Sequence, residues 1–116
     1  MNKGDIYTMD LRGKGFVQKG LRPVVVIQND MGNSHSPTTI IACITRKLKK
    51  PQQPTHVQIS DEHMNVSGQI LCEQIFTVNK TDLRKFICTL TNEEINNLNH
   101  GLSISLDLDN TKKGEL

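Results

Sequence analysis

Thr38-Thr39-Ile40-Ile41-Ala42-Cys43-Ile44-Thr45 is the stretch on which the fold turns. Six of its eight residues are β-branched, and side chains of that kind keep their preferred rotamers on a pleated surface but lose freedom in a helix. The run therefore reads as a buried strand. It stops where Arg46-Lys47-Leu48-Lys49-Lys50-Pro51 begins, so its last residue, Thr45, is delivered to a basic rim. On its N-terminal side, residues 29–37 are turn-forming throughout and predict a surface loop.

The same reasoning finds further strands on either side. Ile6-Tyr7-Thr8-Met9-Asp10-Leu11 is a short strand, closed by Arg12-Gly13-Lys14-Gly15, whose glycines allow a mobile loop. Val24-Val25-Val26-Ile27 reads as buried, with Pro23 suited to a strand start or an edge because it has no amide proton to donate. Thr55-His56-Val57-Gln58-Ile59 alternates with period two. Gln69-Ile70-Leu71-Cys72, Gln74-Ile75-Phe76-Thr77-Val78 and Phe86-Ile87-Cys88-Thr89-Leu90 complete about seven short strands. Residues 91–106 differ. Thr91 and Glu94 form a capping box, and Ile95, Leu98, Leu102 and Leu106 recur at helical spacing along one face. The prediction is a mainly β domain, a small bent antiparallel sheet closing into a barrel, with one C-terminal amphipathic helix packed on it.

A chain of 116 residues has room for one core, so residues 1–116 form a single domain, with 107–116 a frayed tail. That core is built from Val, Ile and Leu, since there are four aromatic residues and no Trp. Its stability margin is thin enough for a dimer interface to help. The longest apolar run has five residues, far short of a membrane span, and the polar start Met1-Asn2-Lys3-Gly4-Asp5 lacks a signal's apolar region. A cytoplasmic protein with no membrane association is expected. Cys43, Cys72 and Cys88 are odd in number, sit on apolar stretches and form no Cys-Xaa-Xaa-Cys pair, so buried free thiols are expected.

Charge is unevenly divided. Residues 12–50 carry eight basic side chains against one acid, a segment charge of +7, while the remainder of the chain from residue 51 is acidic. A fold that gathers the first half on one face suits a polyanionic partner. Metal and nucleotide chemistry find no support, because His35, His56, His63 and His100 are scattered and no glycine-rich phosphate loop precedes a helix. No metal or cofactor is expected. His56, opening an alternating strand, reads as a structural residue. What remains is Arg22-Pro23 together with Thr45. RNA can be cut without metal if the 2′-hydroxyl is held in line with its own phosphate while a guanidinium fork neutralises charge on the phosphate oxygens and a hydroxyl orients one of them. From residue type alone, Arg22 could equally be a surface ion-pair partner.

The order of motifs along residues 3–108 resembles the MazF/PemK family of toxin endoribonucleases. The matching stretches are Lys3-Gly4-Asp5-Ile6-Tyr7, Gly20-Leu21-Arg22-Pro23-Val24-Val25-Val26-Ile27-Gln28-Asn29-Asp30, Gly32-Asn33, Ser36-Pro37-Thr38, Ala42-Cys43-Ile44-Thr45, Pro54-Thr55-His56-Val57, Leu71-Cys72-Glu73-Gln74-Ile75 and Ile104-Ser105-Leu106. The resemblance implies a dimeric SH3-like barrel of the MazF/CcdB type. It implies a sequence-selective, metal-independent endoribonuclease that leaves 2′,3′-cyclic phosphate and 5′-hydroxyl ends on single-stranded RNA. Arg22 and Thr45 fall on the family's catalytic positions, and Gln18, Asn29, Asn33 and Gln74 on polar positions resembling the wall of the substrate groove. With few aromatics for stacking, Arg22, Arg46, Lys47 and nearby lysines are expected to grip phosphates. The family also implies a cognate antitoxin whose acidic disordered segment occupies the same basic groove. Two other readings use the same barrel: a CcdB-like gyrase-binding poison, and an inactive barrel that binds RNA or antitoxin.

Overall fold

Thr38–Thr45 is a strand, lying third in a single six-stranded antiparallel sheet. The computed structural model describes residues 1–15, 17–46, 53–61 and 66–108. Its elements are β1 (Asp5–Arg12), β2 (Lys19–Val26), α1 (Asp30–His35), β3 (Thr38–Thr45), β4 (His56–Asp61), β5 (Val66–Asn79), a 3-10 turn (Lys80–Asp82), β6 (Phe86–Thr89) and α2 (Asn92–Leu106). The sheet runs β4-β5-β3-β2-β1-β6, so the fold is mainly β with a C-terminal helix, as expected, and six strands stand where about seven were predicted.

The sheet buries both faces because its strands alternate two apolar sets. Ile6, Val25, Ala42, Ile44, Val57, Ile59, Ile70 and Cys72 point to one side and are covered by Leu98 and Leu102 of α2. Val24, Val26, Ile41, Cys43 and Leu11 point to the other, where the sheet curls over its own smaller cluster. Continuous runs such as Val24-Val25-Val26 are therefore required here: each neighbour serves a different core. The helix begins where its capping box predicts. Thr91 accepts from the Glu94 amide and Glu94 from the Thr91 amide. Among the described residues no helix is long and apolar enough to cross a membrane. All three cysteines are buried, and none forms a disulfide.

Two local readings change. Residues 29–37, expected as a loop, contain α1. Asn29 caps it by accepting from the Gly32 amide at 2.7 Å, and Asn33 is pulled inside, 2% exposed, to bond Gln28 and Thr39. The two strands expected at 69–72 and 74–78 are one strand, β5, with an insertion: Leu71 pairs Cys43 and Ile75 pairs Ala42, leaving residues 72–74 opposite no residue of β3. This is a bulge, and bulges bend the strand that carries them.

Two consequences for stability can be measured. Gly101 brings α2 against the sheet so closely that an added Cβ would lie 2.7 Å from Val57 Cγ2 and 2.9 Å from Cys72 Sγ. Overpacking of this kind costs about 1–3 kcal/mol, more than the roughly 1 kcal/mol that alanine gains over glycine in a helix. Gly101→Ala should therefore lower the denaturant midpoint, and an unchanged or raised midpoint refutes the close approach. Burial, reinforced by the charge of Glu73, pushes the thiols of Cys43 and Cys72 up to about 11 and about 12, from an ordinary value of 9.0. Their raised values favour the folded state fully below pH 9.0, and that contribution drains away as the pH climbs toward 11 and 12. Urea unfolding at increasing alkalinity should show stability falling across this window, with a shallower fall in Cys72→Ala.

Candidate active site

The arrangement at the end of the β2–β3 ladder follows from one missing hydrogen. Thr8 on β1 donates its amide to the Lys85 carbonyl and accepts from the Arg84 amide, so its backbone faces away from β2. Its partner across the ladder is Pro23, whose backbone therefore faces β3. A proline has no N–H to give there. Pairing between β2 and β3 accordingly covers Val26↔Ile41, Val25↔Ala42 and Val24↔Cys43, and ends just before Pro23.

Continuing that register past Val24 sets Pro23 across from Ile44 and Arg22 across from Thr45. Side chains two apart on a strand share a face. Arg22 therefore lies on the side of Val24, and Thr45 on the side of Cys43, and both of those residues belong to the smaller cluster. The two predicted catalytic residues thus fall on one face, just beyond the end of the β2–β3 ladder. Their environments differ. Arg22 is exposed, its Nε donating to the Lys19 carbonyl at 3.1 Å, and among the described residues no carboxylate pairs with it. Thr45 is buried, 4% exposed, with β5 pressed against it: a Cβ on Gly68 would lie 3.0 Å from the Thr45 carbonyl oxygen.

The remaining expected residues divide. Gln18 and Gln74 come together across 56 residues of chain, the Gln18 amide donating to Gln74 Oε1 at 3.0 Å. That bond ties residues 13–18, the turn between β1 and β2, to the bulge of β5. Arg46 is exposed directly after β3, whereas Lys47 lies outside the described residues. Asn29 and Asn33 lie at α1. The Asn29 side chain caps it, Oδ1 accepting from the Gly32 amide. Asn33 Oδ1 accepts from Gln28 Nε2 at 3.1 Å and Thr39 Oγ1 at 2.7 Å, while its Nδ2 donates to the Gln28 carbonyl. The Asn33 amide holds α1 on the sheet.

Sequence reasoning passed over Gln69. It stands directly across from Thr45 on β5, with Gln58 of β4 across from it in turn, so Gln58, Gln69 and Thr45 form one row of polar side chains over three strands, toward which the continued register of β2 directs Arg22. Gln69 is 2% exposed. The available signal was a carboxamide placed in the apolar run Gln69-Ile70-Leu71-Cys72, where alternation sends it to the face opposite Ile70. A concavity of about 790 Å³ lies between β1, Gly13, Val17, Gln18 and the far end of β5. Arg12, Gln18, Phe76 and Arg84 line it; Arg22 and Thr45 do not.

Residues 2–106 match the family of PemK-like, MazF-like toxins of type II toxin-antitoxin systems. The Endoribonuclease MazF of Staphylococcus saprophyticus is 42% identical over 111 residues, which cover 93% of this chain and 92% of that protein. Two solved structures share the fold. An endoribonuclease in complex with its cognate antitoxin from Mycobacterial species superposes with a TM-score of 0.80 at 22% identity, covering 96% of this chain and 99% of that one. MazF from Deinococcus radiodurans does so with a TM-score of 0.77 at 18% identity, covering 92% and 96%. With the family pattern spanning all but the ends of the sequence, and the strand ends disposed as described, the chain belongs to the PemK-like, MazF-like toxins of type II toxin-antitoxin systems.

Proposed function

We propose that this protein is a sequence-selective endoribonuclease that cuts single-stranded RNA by attack of a 2′-hydroxyl on the adjacent phosphodiester, without a metal ion. The bond from the 2′-oxygen to phosphorus forms as the bond to the 5′-oxygen breaks. The proton lost by the first oxygen is balanced by the one the second gains, leaving a 2′,3′-cyclic phosphate and a 5′-hydroxyl. The observation that carries the reading is an exposed guanidinium, unpaired with any carboxylate among the described residues, on a strand whose register with β3, continued two residues past Val24↔Cys43, leads to Thr45 on the same face. The guanidinium neutralises charge developing on the non-bridging oxygens, and the threonine hydroxyl orients the phosphate for in-line displacement.

Support comes from the named activity of the 42% identical relative and from the polarised charge of the chain. Gln18, Gln74 and Gln58 offer amides to base edges that single-stranded RNA leaves exposed. Arg46 and Lys47 hold flanking phosphates. The protein acts in the cytoplasm as a homodimer, and a cognate antitoxin restrains it by laying an acidic disordered segment over the same cationic surface. A neighbour of the same fold was solved with its cognate antitoxin.

The test incubates purified protein with a long transcript in EDTA and maps the new ends. Discrete cuts with cyclic phosphate termini are expected, and RNA left intact removes the proposal. Arg22→Ala should lower the rate by about 10²–10³, the loss typical of removing one donor to a developing oxyanion. Because Thr45 is buried, its informative replacements keep its volume: Thr45→Val should abolish most cleavage while Thr45→Ser retains it, and equal activity in the two variants denies the hydroxyl a role. RNA affinity should fall steeply as salt rises, and less steeply in Arg46→Ala, since each phosphate contact contributes about −0.7 to the logarithmic slope for a single strand.

A further inference from the structure

We infer that His56 is a positioning residue for the turn between β1 and β2, acting through Glu73 and the bulge of β5; the inference rests on the ribonuclease reading above. Cys72, Glu73 and Gln74 lie opposite no residue of β3, so that ladder does not fix their conformation. Three bonds do. The Cys72 amide donates to the Thr55 carbonyl at 3.0 Å, Glu73 Oε2 lies 2.7 Å from His56 Nε2, and Gln74 Oε1 accepts from the Gln18 amide at 3.0 Å. The first two anchor the bulge to β4, and the third passes its position to residues 13–18. Within those residues the bonds are local, Gly13 to Gln18 and Val17 to Lys14, so the turn depends on Gln74 for its placement against β5. Arg22 is joined to the same segment through Lys19.

Direction along this chain follows from burial. The His56 side chain is 1% exposed and that of Glu73 38% exposed, so the imidazole is the fixed end and the carboxylate the end that is held. An ionised carboxylate only accepts, which puts the proton on Nε2. Nδ1 is buried and has no partner among the described residues, so the ring commits its hydrogen bonding to Glu73. In the neighbouring positions of this row stand Leu71 and Cys43, beside which an aliphatic side chain would pack at less desolvation cost than an imidazole. The imidazole is explained by what it holds.

The experiment measures kcat and KM on a short single-stranded RNA carrying one mapped cut site, using the full chain, with Tm recorded for each variant. His56→Leu should raise KM about tenfold with kcat within about threefold, the pattern of a binding element lost without damage to the chemical step. His56→Gln, which can still donate to Glu73, should recover most of that loss. Glu73→Ala, at a half-exposed site that tolerates truncation, should reproduce the KM rise and serves where His56→Leu fails to fold; the double variant should add nothing further. Unchanged KM in His56→Leu or Glu73→Ala overturns the inference, as does a loss of kcat that merely follows Tm. A wild-type protein that leaves the RNA intact overturns the ribonuclease reading itself, whereas a cutting wild type with indifferent variants overturns only the role of His56.

Discussion

Antiparallel strands stay together because each residue facing its neighbour both gives and takes a hydrogen bond, and Pro23 can only take. It stands inside a sheet, between β1 and β3, where proline is ordinarily excluded. The conflict resolves geometrically: β2 keeps its pairing with β1 down to Lys19 but gives up β3 before Pro23. The β2–β3 ladder thus stops before it reaches Arg22 and Thr45. A more regular sequence would have carried the ladder on to them.

The two residues stand in different surroundings. Arg22 lies within β2, exposed, and among the described residues no carboxylate pairs with it. Thr45 is embedded, flanked by Gln69 across the ladder, with Gly68 close to its carbonyl oxygen. On the proposed reading, the exposed cation captures a flexible polyanion and the buried threonine aligns it.

Much of this was legible in the sequence where local chemistry and tertiary demand agree. The β-branched run 38–45, the alternation at 56–59 and the Thr91/Glu94 box each specify their own element. Legibility failed where tertiary contacts overrule local preference. Asp30–His35 contains glycine and asparagine, poor helix formers, and becomes a helix because Asn29 caps it and Asn33 finds Thr39 on β3. The polar pair Glu73-Gln74 looked like a break between two strands, whereas it is a bulge held from outside by His56 and Gln18. Gln69 was hidden because a single sequence does not tell which face of a strand meets a functional residue on the next. Arg22 and Thr45 could be singled out by residue type and family pattern, but their common face depends on a register of pairing that only the folded sheet supplies.

The sheet's order also governs when the molecule can come into being. β1, made first, has β2 on one side and β6 on the other, and Ile6 meets Cys88 while Asp5 accepts a hydrogen bond from Thr89, 84 positions away. Leu90 then donates to the Gly4 carbonyl. A ribosome must therefore synthesise the chain through β6 before β1 is enclosed on both sides. Such long-range closure is slow relative to local helix formation, so there is an interval in which the growing chain exposes an unpaired edge of β1.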